Sequence, residues 1–170
     1  MSLPAAVEAR GGRGLEQAMN EGFRMTVALP DLAATAALGA AIAAHLARGD
    51  AVLLMGDLGS GKTTLARAIL TAMGVDETVP SPTFTLVQTY ETSHFPVSHY
   101  DLYRLKRPSE MDELGLDEAL DNGAALIEWP ERAEDRLPLD ALSVHLLADR
   151  ERQATLVGPA RWRSLETAHV

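Results

Sequence analysis

One short stretch of the sequence constrains the fold more than any other. Residues 56–63 read GDLGSGKT and match the pattern G-x-x-x-x-G-K-[ST], in which glycines let backbone N–H groups approach phosphate oxygens. An apolar run precedes them at 51–55, as a buried parallel strand requires, and apolar residues recur at helical spacing over 64–73. A Gly-rich turn that matched the pattern by chance would not require a strand before it and a helix after it. The complete strand–loop–helix unit therefore predicts a nucleotide phosphate site.

The pattern assigns chemistry to single positions within this loop. Lys62 supplies a point charge for the β- and γ-phosphates, and Thr63 supplies a hydroxyl for Mg²⁺. The helix that begins here adds the partial positive charge of its N-terminus. We therefore predict that the nucleotide contacts come from one continuous run, namely Gly56, Asp57, Leu58, Gly59, Ser60, Gly61, Lys62, Thr63 and Thr64.

Composition narrows the classes to which the chain can belong. Its 170 residues favour one domain, and its lack of cysteine excludes disulfides and thiolate metal sites. The net charge of −9 disfavours tight non-specific binding to nucleic acid, so another protein should hold any RNA. No apolar run approaches the ~20 residues of a membrane-spanning helix, and residues 1–22 lack the apolar core of a secretory signal. We expect a cytoplasmic protein with no membrane contact.

The remaining patterns divide the chain into a half with alternating strands and helices and a strand-rich half. Alternation up to residue 73, with Asp31 as the N-cap of the first helix, favours α/β layering. A later helix is predicted to begin at Pro108 and to be interrupted at Gly115. The strand-rich half makes the sheet mixed and not purely parallel, and the predicted strands are 23–29, 51–55, 84–91, 95–101, 124–127, 142–147 and 152–157.

Two carboxylates stand where predicted strands end. A phosphate loop needs a carboxylate near Mg²⁺, usually at the end of a neighbouring apolar strand. Glu128 follows the more apolar strand and is the better candidate to hold the metal, directly or through water. Asp101 follows a mixed strand and could orient the attacking water or hold a metal-bound water. The alternative for either residue is a solvent-exposed acid at a strand end.

The segment at 79–85 combines two prolines with hydroxyl side chains. The prolines fix an extended loop, and Thr83 and Thr85 could meet the γ-phosphate as a switch does, ordered by nucleotide and released after hydrolysis. A rigid turn with capping hydroxyls explains the composition nearly as well. For His99 and Trp129 a structural role is the simpler interpretation, as a strand-end histidine and a packing tryptophan. Arg104 and Arg150 are the cations that could contact phosphate or nucleotide, although a surface arginine is the simpler interpretation of each.

Four sequence blocks, taken together, resemble the TsaE (YjeE) family. Their order and spacing agree with that family over roughly residues 25–157, and LPD at 29–31, followed by Thr35, agrees as well. The joint pattern is far more specific than the phosphate loop alone. The blocks are GDLGSGKTT at 56–64, SPTFT at 81–85, HYDLYRL at 99–105 and IEWPE at 127–131.

The resemblance implies a fold, cofactors and partners. The fold is α/β, a P-loop NTPase-like three-layer fold with a mixed central sheet. It would occupy a P-loop ATPase domain at 23–158. Outside the resemblance, the composition of residues 1–22, without a clear period, predicts a disordered extension, and residues 159–170 form the predicted C-terminal tail. The cofactors are ATP and Mg²⁺. The partners are TsaD and TsaB homologues, which form N6-threonylcarbamoyladenosine at position 37 of tRNA, so the chain would meet tRNA only indirectly through that complex.

Matching positions carry the catalytic and metal residues of the family onto this chain. Thr63 and Glu128 would ligand Mg²⁺. Asp101 would be needed for hydrolysis. Lys62 in the loop and Thr85 in the proline-fixed segment are the other predicted catalytic residues, on the reasoning from the residues given above. The resemblance therefore describes an ATPase whose site is spread over four blocks.

The looser matches concern the nucleotide's outer parts. Thr35 would lie near the adenine, and Arg150 would sit in a late turn that closes over the nucleotide. Asp149 stands before that arginine where the family commonly has glycine, so this turn departs from the family pattern.

Two other function classes remain open from the sequence. P-loop small-molecule kinases have a similar size, but they usually carry an Arg-bearing lid, and no Arg-rich insertion is visible. A non-catalytic nucleotide-dependent switch module is the second class, although the base-reading Asn-Lys-x-Asp of GTPases is absent. ATP hydrolysis without an acceptor, and without a preference for GTP, would favour the ATPase. We expect that activity to be weak alone and stimulated by partners.

Overall fold

The computed structural model describes residues 22–168, so the extension predicted over 1–22 lies almost entirely outside the described residues. The strands are β1 Phe23–Ala28, β2 Ala51–Met55, β3 Val87–Tyr90, β4 Val97–Asp101, β5 Ala124–Glu128, β6 Leu142–Leu147 and β7 Gln153–Gly158. The α-helices are α1 Leu32–His45, α2 Lys62–Ala72 and α3 Leu116–Asn122, and three 3-10 helices cover Pro108–Glu113, Pro130–Arg136 and Ala160–Thr167. Within the described residues, no helix is long and apolar enough to cross a membrane.

The seven strands form one mixed sheet in the order β1-β7-β6-β2-β5-β4-β3. The central strands β6, β2, β5 and β4 run parallel to one another, whereas β3 pairs antiparallel with β4, β7 with β6 and β1 with β7. Parallel strands end at the same edge of a sheet. The register pairs Glu128 with Asp101 on one side and with Leu54 on the other, which brings both predicted carboxylates beside the phosphate loop.

Two hydrophobic cores cover the two faces of the sheet and make the fold three-layered. On one face, α1 and α2 bury Leu38, Ile42, Leu65 and Ile69 against strand residues such as Leu126. On the other face, the helices after β4 bury Met111 and Leu116 against Tyr100 and Ile127. The expectation of a three-layer α/β fold with a mixed central sheet is confirmed.

The predicted strand limits need two corrections. The strand predicted from residue 84 begins at Val87, because the N–H of Leu86 donates to the carbonyl of Pro82 at 2.8 Å and Leu86 takes a left-handed φ of 64°. The strand predicted from residue 95 begins at Val97, since Pro96 has no N–H to give to a ladder. Both corrections come from prolines and local turns at the strand starts.

The helix predicted from Pro108 is interrupted at Gly115, as expected. Pro108–Glu113 is a 3-10 helix, and α3 begins after Gly115, whose φ of 68° a side chain would resist. Between these pieces, the hydroxyl of Tyr100 donates to the carbonyl of Leu114 at 3.1 Å. Burial raises the pKa of Tyr100 to about 12, so this hydroxyl stays a donor across the physiological range.

The segment after β7, which the sequence leaves ambiguous, packs on the sheet. Trp162 and Leu165 of the last 3-10 helix are fully buried in the core that α1 and α2 share. Arg161 donates two hydrogen bonds to Asp50, at 2.6 and 3.1 Å, just before β2 begins. These contacts tie the end of the chain to the strand that leads into the phosphate loop.

Candidate nucleotide site

The phosphate loop connects β2 to α2, and its glycines take conformations that other residues resist. Gly56, Gly59 and Gly61 have φ values of 149°, 79° and 104°. A Cβ at Gly56 would lie 2.5 Å from the hydroxyl of Ser60 and 2.6 Å from the carbonyl of Leu146, so no larger residue fits there. The loop is thus held close to β6 and opens onto the N-terminus of α2, where backbone N–H groups lack intrahelical partners.

Lys62 lies within this loop and is only 5% exposed. Its Nζ donates to the carbonyls of Gly56 and Asp57 at 2.8 and 2.9 Å, and it lies 4.1 Å from the centre of the Trp129 ring. Burial lowers the pKa of Lys62, and nearby carboxylates, that of Glu128 first, oppose this shift. The loop therefore holds one buried cation at its centre.

Thr63, Glu128 and His99 form a hydrogen-bonded chain at the start of α2. The hydroxyl of Thr63 donates to Oε1 of Glu128 at 2.7 Å, and Nε2 of His99 lies 2.6 Å from Oε2 of the same carboxylate. Glu128 is 2% exposed and His99 is completely buried. Each oxygen of Glu128 consequently has one protein partner, and the hydroxyl of the loop threonine points at the carboxylate.

Asp101 ends β4 beside Glu128 and is held by the proline-fixed segment. Its Oδ2 accepts from the hydroxyl of Ser81 at 2.6 Å, and its Oδ1 accepts from the backbone N–H of Tyr103 at 3.1 Å. The hydroxyl of Thr83 contacts that of Ser81 at 3.3 Å. Asp101 is therefore a buried, oriented carboxylate and not a solvent-exposed strand end.

These residues share a cleft of about 510 Å³ at the carboxyl end of the central strands. Its acidic side holds Asp101 and Glu128, and its basic side holds Lys62 with the guanidinium-bearing residues Arg104 and Arg152. The remaining lining residues are Leu58, Gly59, Gly61, Thr63, Thr64, Ser81, Thr83, Tyr103 and Trp129.

Aromatic side chains form one wall of the cleft. Trp129 has a left-handed φ of 56°, which is strained for a bulky residue, and its ring lies 5.0 Å from that of Tyr103. The guanidinium of Arg104 lies 4.7 Å from the centre of the Phe84 ring, and Phe84 is 84% exposed. The tryptophan thus faces the buried lysine and is more than a packing wedge, while Arg104 joins the cleft to an exposed aromatic.

Comparison with known proteins agrees with this arrangement. Residues 29–155 match the family described as "Threonylcarbamoyl adenosine biosynthesis protein TsaE". The chain belongs to the TsaE family. A protein of Rickettsia felis named tRNA threonylcarbamoyladenosine biosynthesis protein TsaE is 44% identical over 126 residues, which are 72% of this chain and 74% of that protein. The TsaE protein of Bacillus subtilis is 38% identical over 124 residues, 71% of this chain and 77% of that protein.

A solved structure extends the likeness to the fold. The crystal structure of YdiB from Bacillus subtilis matches with a TM-score of 0.72 and 30% identity, and the match covers 86% of this chain and 95% of that one. The resemblance to TsaE seen in the four sequence blocks is confirmed, as is the P-loop NTPase fold.

The TsaE fold brings most of the predicted site residues together. Leu58, Gly59, Gly61, Lys62, Thr63 and Thr64 line the cleft with Asp101 and Glu128. The other loop residues, Gly56, Asp57 and Ser60, supply the oxygens around the Lys62 ammonium.

Three predicted site residues outside the phosphate loop do not line this cleft. Thr85 is exposed beyond the proline-fixed turn, Thr35 is half-buried on α1, and Arg150 is exposed in the turn between β6 and β7. From that turn it is Arg152, two residues later, that reaches the cleft. To contact a nucleotide in the cleft, these three residues would have to lie closer to it than they do in this structure.

Sequence reasoning left five cleft residues out of the predicted site, and one of them, Ser81, belongs to the SPTFT block. Tyr103 and Arg104 belong to the HYDLYRL block, and Trp129 follows Glu128 directly, so their blocks could have signalled them. Arg152 belongs to none of the four blocks, and nothing in the local sequence distinguishes it from Arg150. Only the folding of the β6–β7 turn selects between these two arginines.

Proposed function

We propose that this chain is a Mg²⁺-dependent ATPase that assists TsaB and TsaD homologues in forming N6-threonylcarbamoyladenosine at position 37 of tRNA. ATP hydrolysis would reset the complex between rounds. Family membership supports the pathway. The ATPase activity, the partners and the resetting step are the proposal.

The observation that carries the proposal is the contact between Thr63 and Glu128. A phosphate-loop hydroxyl and a carboxylate at the end of the neighbouring parallel strand meet at 2.7 Å. P-loop NTPases use such a hydroxyl and such a carboxylate to hold the Mg²⁺ that bridges the β- and γ-phosphates. Lys62, the adjacent residue, places a cation in the same loop.

The side chains present fit Mg²⁺. Hydroxyl and carboxylate oxygens are the ligands that Mg²⁺ prefers, and in phosphate sites one or two protein ligands suffice because water and phosphate supply the others. We propose Thr63 and Glu128 as the ligands. When bound, the ion would neutralise charge that develops on the phosphate oxygens.

The protein groups divide the remaining tasks. Lys62 contributes its charge to the β- and γ-phosphates once its ammonium leaves the carbonyls of Gly56 and Asp57. Asp101 orients the water whose oxygen bonds to the γ-phosphorus while the bond to the β–γ bridging oxygen breaks, releasing ADP and phosphate. Ser81 holds Asp101 in place for that task.

Other predicted residues keep proposed roles outside the described cleft. Thr35 would approach the adenine and Arg150 would close over the nucleotide when it binds. Thr85 would couple the nucleotide to a partner, because its segment is tied to α2 through a hydrogen bond from Arg67 to the carbonyl of Val79 and to Asp101 through Ser81. Because the net charge of −9 disfavours binding of tRNA by this chain, TsaB and TsaD would bind the tRNA. The complex would act in the cytoplasm.

The test is a turnover assay of the purified chain with ATP or GTP, alone and with its cognate TsaB–TsaD pair and tRNA. We expect slow release of phosphate from ATP alone, clear stimulation by the pair, and loss of modified tRNA when the chain is omitted. Phosphate transfer only in the presence of a small-molecule acceptor would instead identify a kinase. Nucleotide binding without turnover in any mixture would identify a switch module.

A further inference from the structure

His99 is a buried polar residue for which the proposed mechanism has no role so far. Its side chain is completely buried, on a strand with neighbours on both sides. Nε2 contacts Glu128, and Nδ1 has no hydrogen-bond partner among the described residues. An apolar side chain could fill this space without leaving a buried nitrogen unpaired. Among the described residues, the one hydrogen bond of the His99 side chain is therefore directed at the site.

The strand register explains how His99 reaches this carboxylate. His99 pairs with Leu126, and Asp101 pairs with Glu128, on the parallel strands β4 and β5. Residues two apart on a strand share a face, so His99 and Glu128 are diagonal neighbours on the face that α2 covers. Thr63 approaches the same carboxylate from α2. The histidine and the loop threonine thus contact different oxygens of Glu128.

We infer that His99 is a positioning residue that fixes the carboxylate of Glu128 for Mg²⁺. With Nε2 bound to Oε2, the side chain can turn only by breaking a 2.6 Å hydrogen bond in a buried site, so Oε1 stays directed at Thr63. Hydrogen bonds to ligating carboxylates orient them, and losing such a partner typically weakens metal affinity about 10- to 100-fold. This inference rests on the proposed Mg²⁺ site.

Two amide substitutions separate positioning from packing. In His99→Gln the amide nitrogen can reach the place of Nε2, whereas in His99→Asn it reaches only about as far as Nδ1. Both variants put an uncharged polar side chain in the same buried space. A third variant, His99→Leu, puts an apolar side chain without any hydrogen-bond donor there. His45→Asn is a matched control, because its Nδ1 contacts the carbonyl of Ala41 within α1, away from the cleft.

The experiment titrates MgCl₂ into each variant with a fluorescent N-methylanthraniloyl ADP, and measures the affinity for the same probe in EDTA and the thermal unfolding midpoint. We expect His99→Asn and His99→Leu to weaken the apparent Mg²⁺ affinity about tenfold or more, and affinity in EDTA to change less than about twofold. His99→Gln should recover most of the Mg²⁺ affinity, and His45→Asn should retain all of it.

The outcomes distinguish this inference from the proposal beneath it. If His99→Asn and His99→Gln lower the unfolding midpoint alike and leave Mg²⁺ affinity unchanged, His99 only stabilises the fold and the inference is wrong. If His99→Leu does not fold, the contrast between the two amides still decides. If the unsubstituted chain shows no Mg²⁺-dependent binding of the probe, the proposed function fails, and the inference fails with it.

Discussion

At the scale of single residues, Lys62 combines a functional charge with a cost in stability. Burial lowers its pKa, although Glu128 and other carboxylates oppose the shift. A lowered pKa means that folding disfavours the charged ammonium, so the unfolded chain binds the proton more tightly. The free energy of unfolding therefore carries a penalty below the lowered pKa, and the penalty disappears as pH rises toward the ordinary value of 10.5.

Lys62→Met tests both sides of this balance. The substitution keeps an unbranched apolar stem and removes the charge, so the nucleotide-free variant should unfold at a higher temperature than the parent at pH 7. The difference should shrink between pH 7 and pH 10. ATP binding should fall at least about tenfold, because the only charge in the loop aimed at the β- and γ-phosphates is lost. Near-normal ATP hydrolysis would contradict the phosphate role, and a lower midpoint at pH 7 would contradict the burial argument.

Substitutions of the two carboxylates of the cleft should have different effects on nucleotide binding and turnover. Glu128→Ala removes a proposed metal ligand, so Mg²⁺ dependence and nucleotide affinity should weaken together. It also leaves Nε2 of His99 buried without an acceptor, which should lower the free energy of unfolding by about 1–3 kcal/mol. Asp101→Asn should spare binding and slow turnover about 10²- to 10⁴-fold. Isothermal titration with and without Mg²⁺, beside a phosphate-release assay, separates the patterns; the reverse pattern would exchange the two roles.

Site residues could be predicted from the sequence only where a local motif or a strand end marks them. Lys62 and Thr63 follow from one continuous motif, and the carboxylates follow from acids placed at strand ends. The left-handed backbone of Trp129 and the approach of Arg152 depend on how distant segments pack. No spacing rule encodes such long-range contacts, so the sequence alone could not rank Arg152 above Arg150.

At the scale of elements, the packing of α1 on α2 determines how firmly the phosphate loop is seated. A Cβ at Gly39 would lie 2.5 Å from Cβ of Ala68 and 2.9 Å from its backbone carbonyl carbon, so only glycine lets the two helices approach this closely. Since α2 begins inside the phosphate loop, any displacement of this helix displaces Lys62 and Thr63.

Gly39→Ala should therefore destabilise the protein even though alanine is the better helix former. The gain in helix propensity is about 1 kcal/mol, and overpacking typically costs about 1–3 kcal/mol. We expect a lower unfolding midpoint in denaturant and weaker ADP binding, with partial recovery in Gly39→Ala/Ala68→Gly. Ala40→Gly, at an exposed position on the same helix, is the control for propensity. An unfolding midpoint for Gly39→Ala equal to or above that of the parent would disprove the close-approach argument.

Element order could be predicted well because apolar periodicity is local, whereas element starts could not. β2, β5 and β6 were predicted close to their observed limits from short apolar runs. The late start of β3 depends on the turn from Pro82 to Leu86, and the burial of Trp162 depends on a surface that α1 and the sheet build together. Those features require the assembled fold.

At the scale of the whole molecule, side-chain contacts connect the cleft to the exposed side chain of Phe84. The segment at 79–85 is tied inward through Ser81 to Asp101, and outward it presents Phe84, which stacks on Arg104 from the cleft wall. A change in the contacts of Asp101 or Arg104 would therefore move an exposed aromatic side chain.

Thr85→Ala tests whether this segment carries the nucleotide state to the TsaB–TsaD pair. Thr85 is exposed and does not line the described cleft, so ADP affinity should stay within about twofold of the parent. The ratio of ATP turnover with the partner pair to turnover alone should fall several-fold, because the hydroxyl that we propose to couple the nucleotide to a partner is lost. Thr71→Ala, another exposed threonine at the far end of α2, should keep the full ratio. Equal turnover of the unsubstituted chain in every mixture would exclude the coupling and restore the small-molecule kinase as the leading alternative.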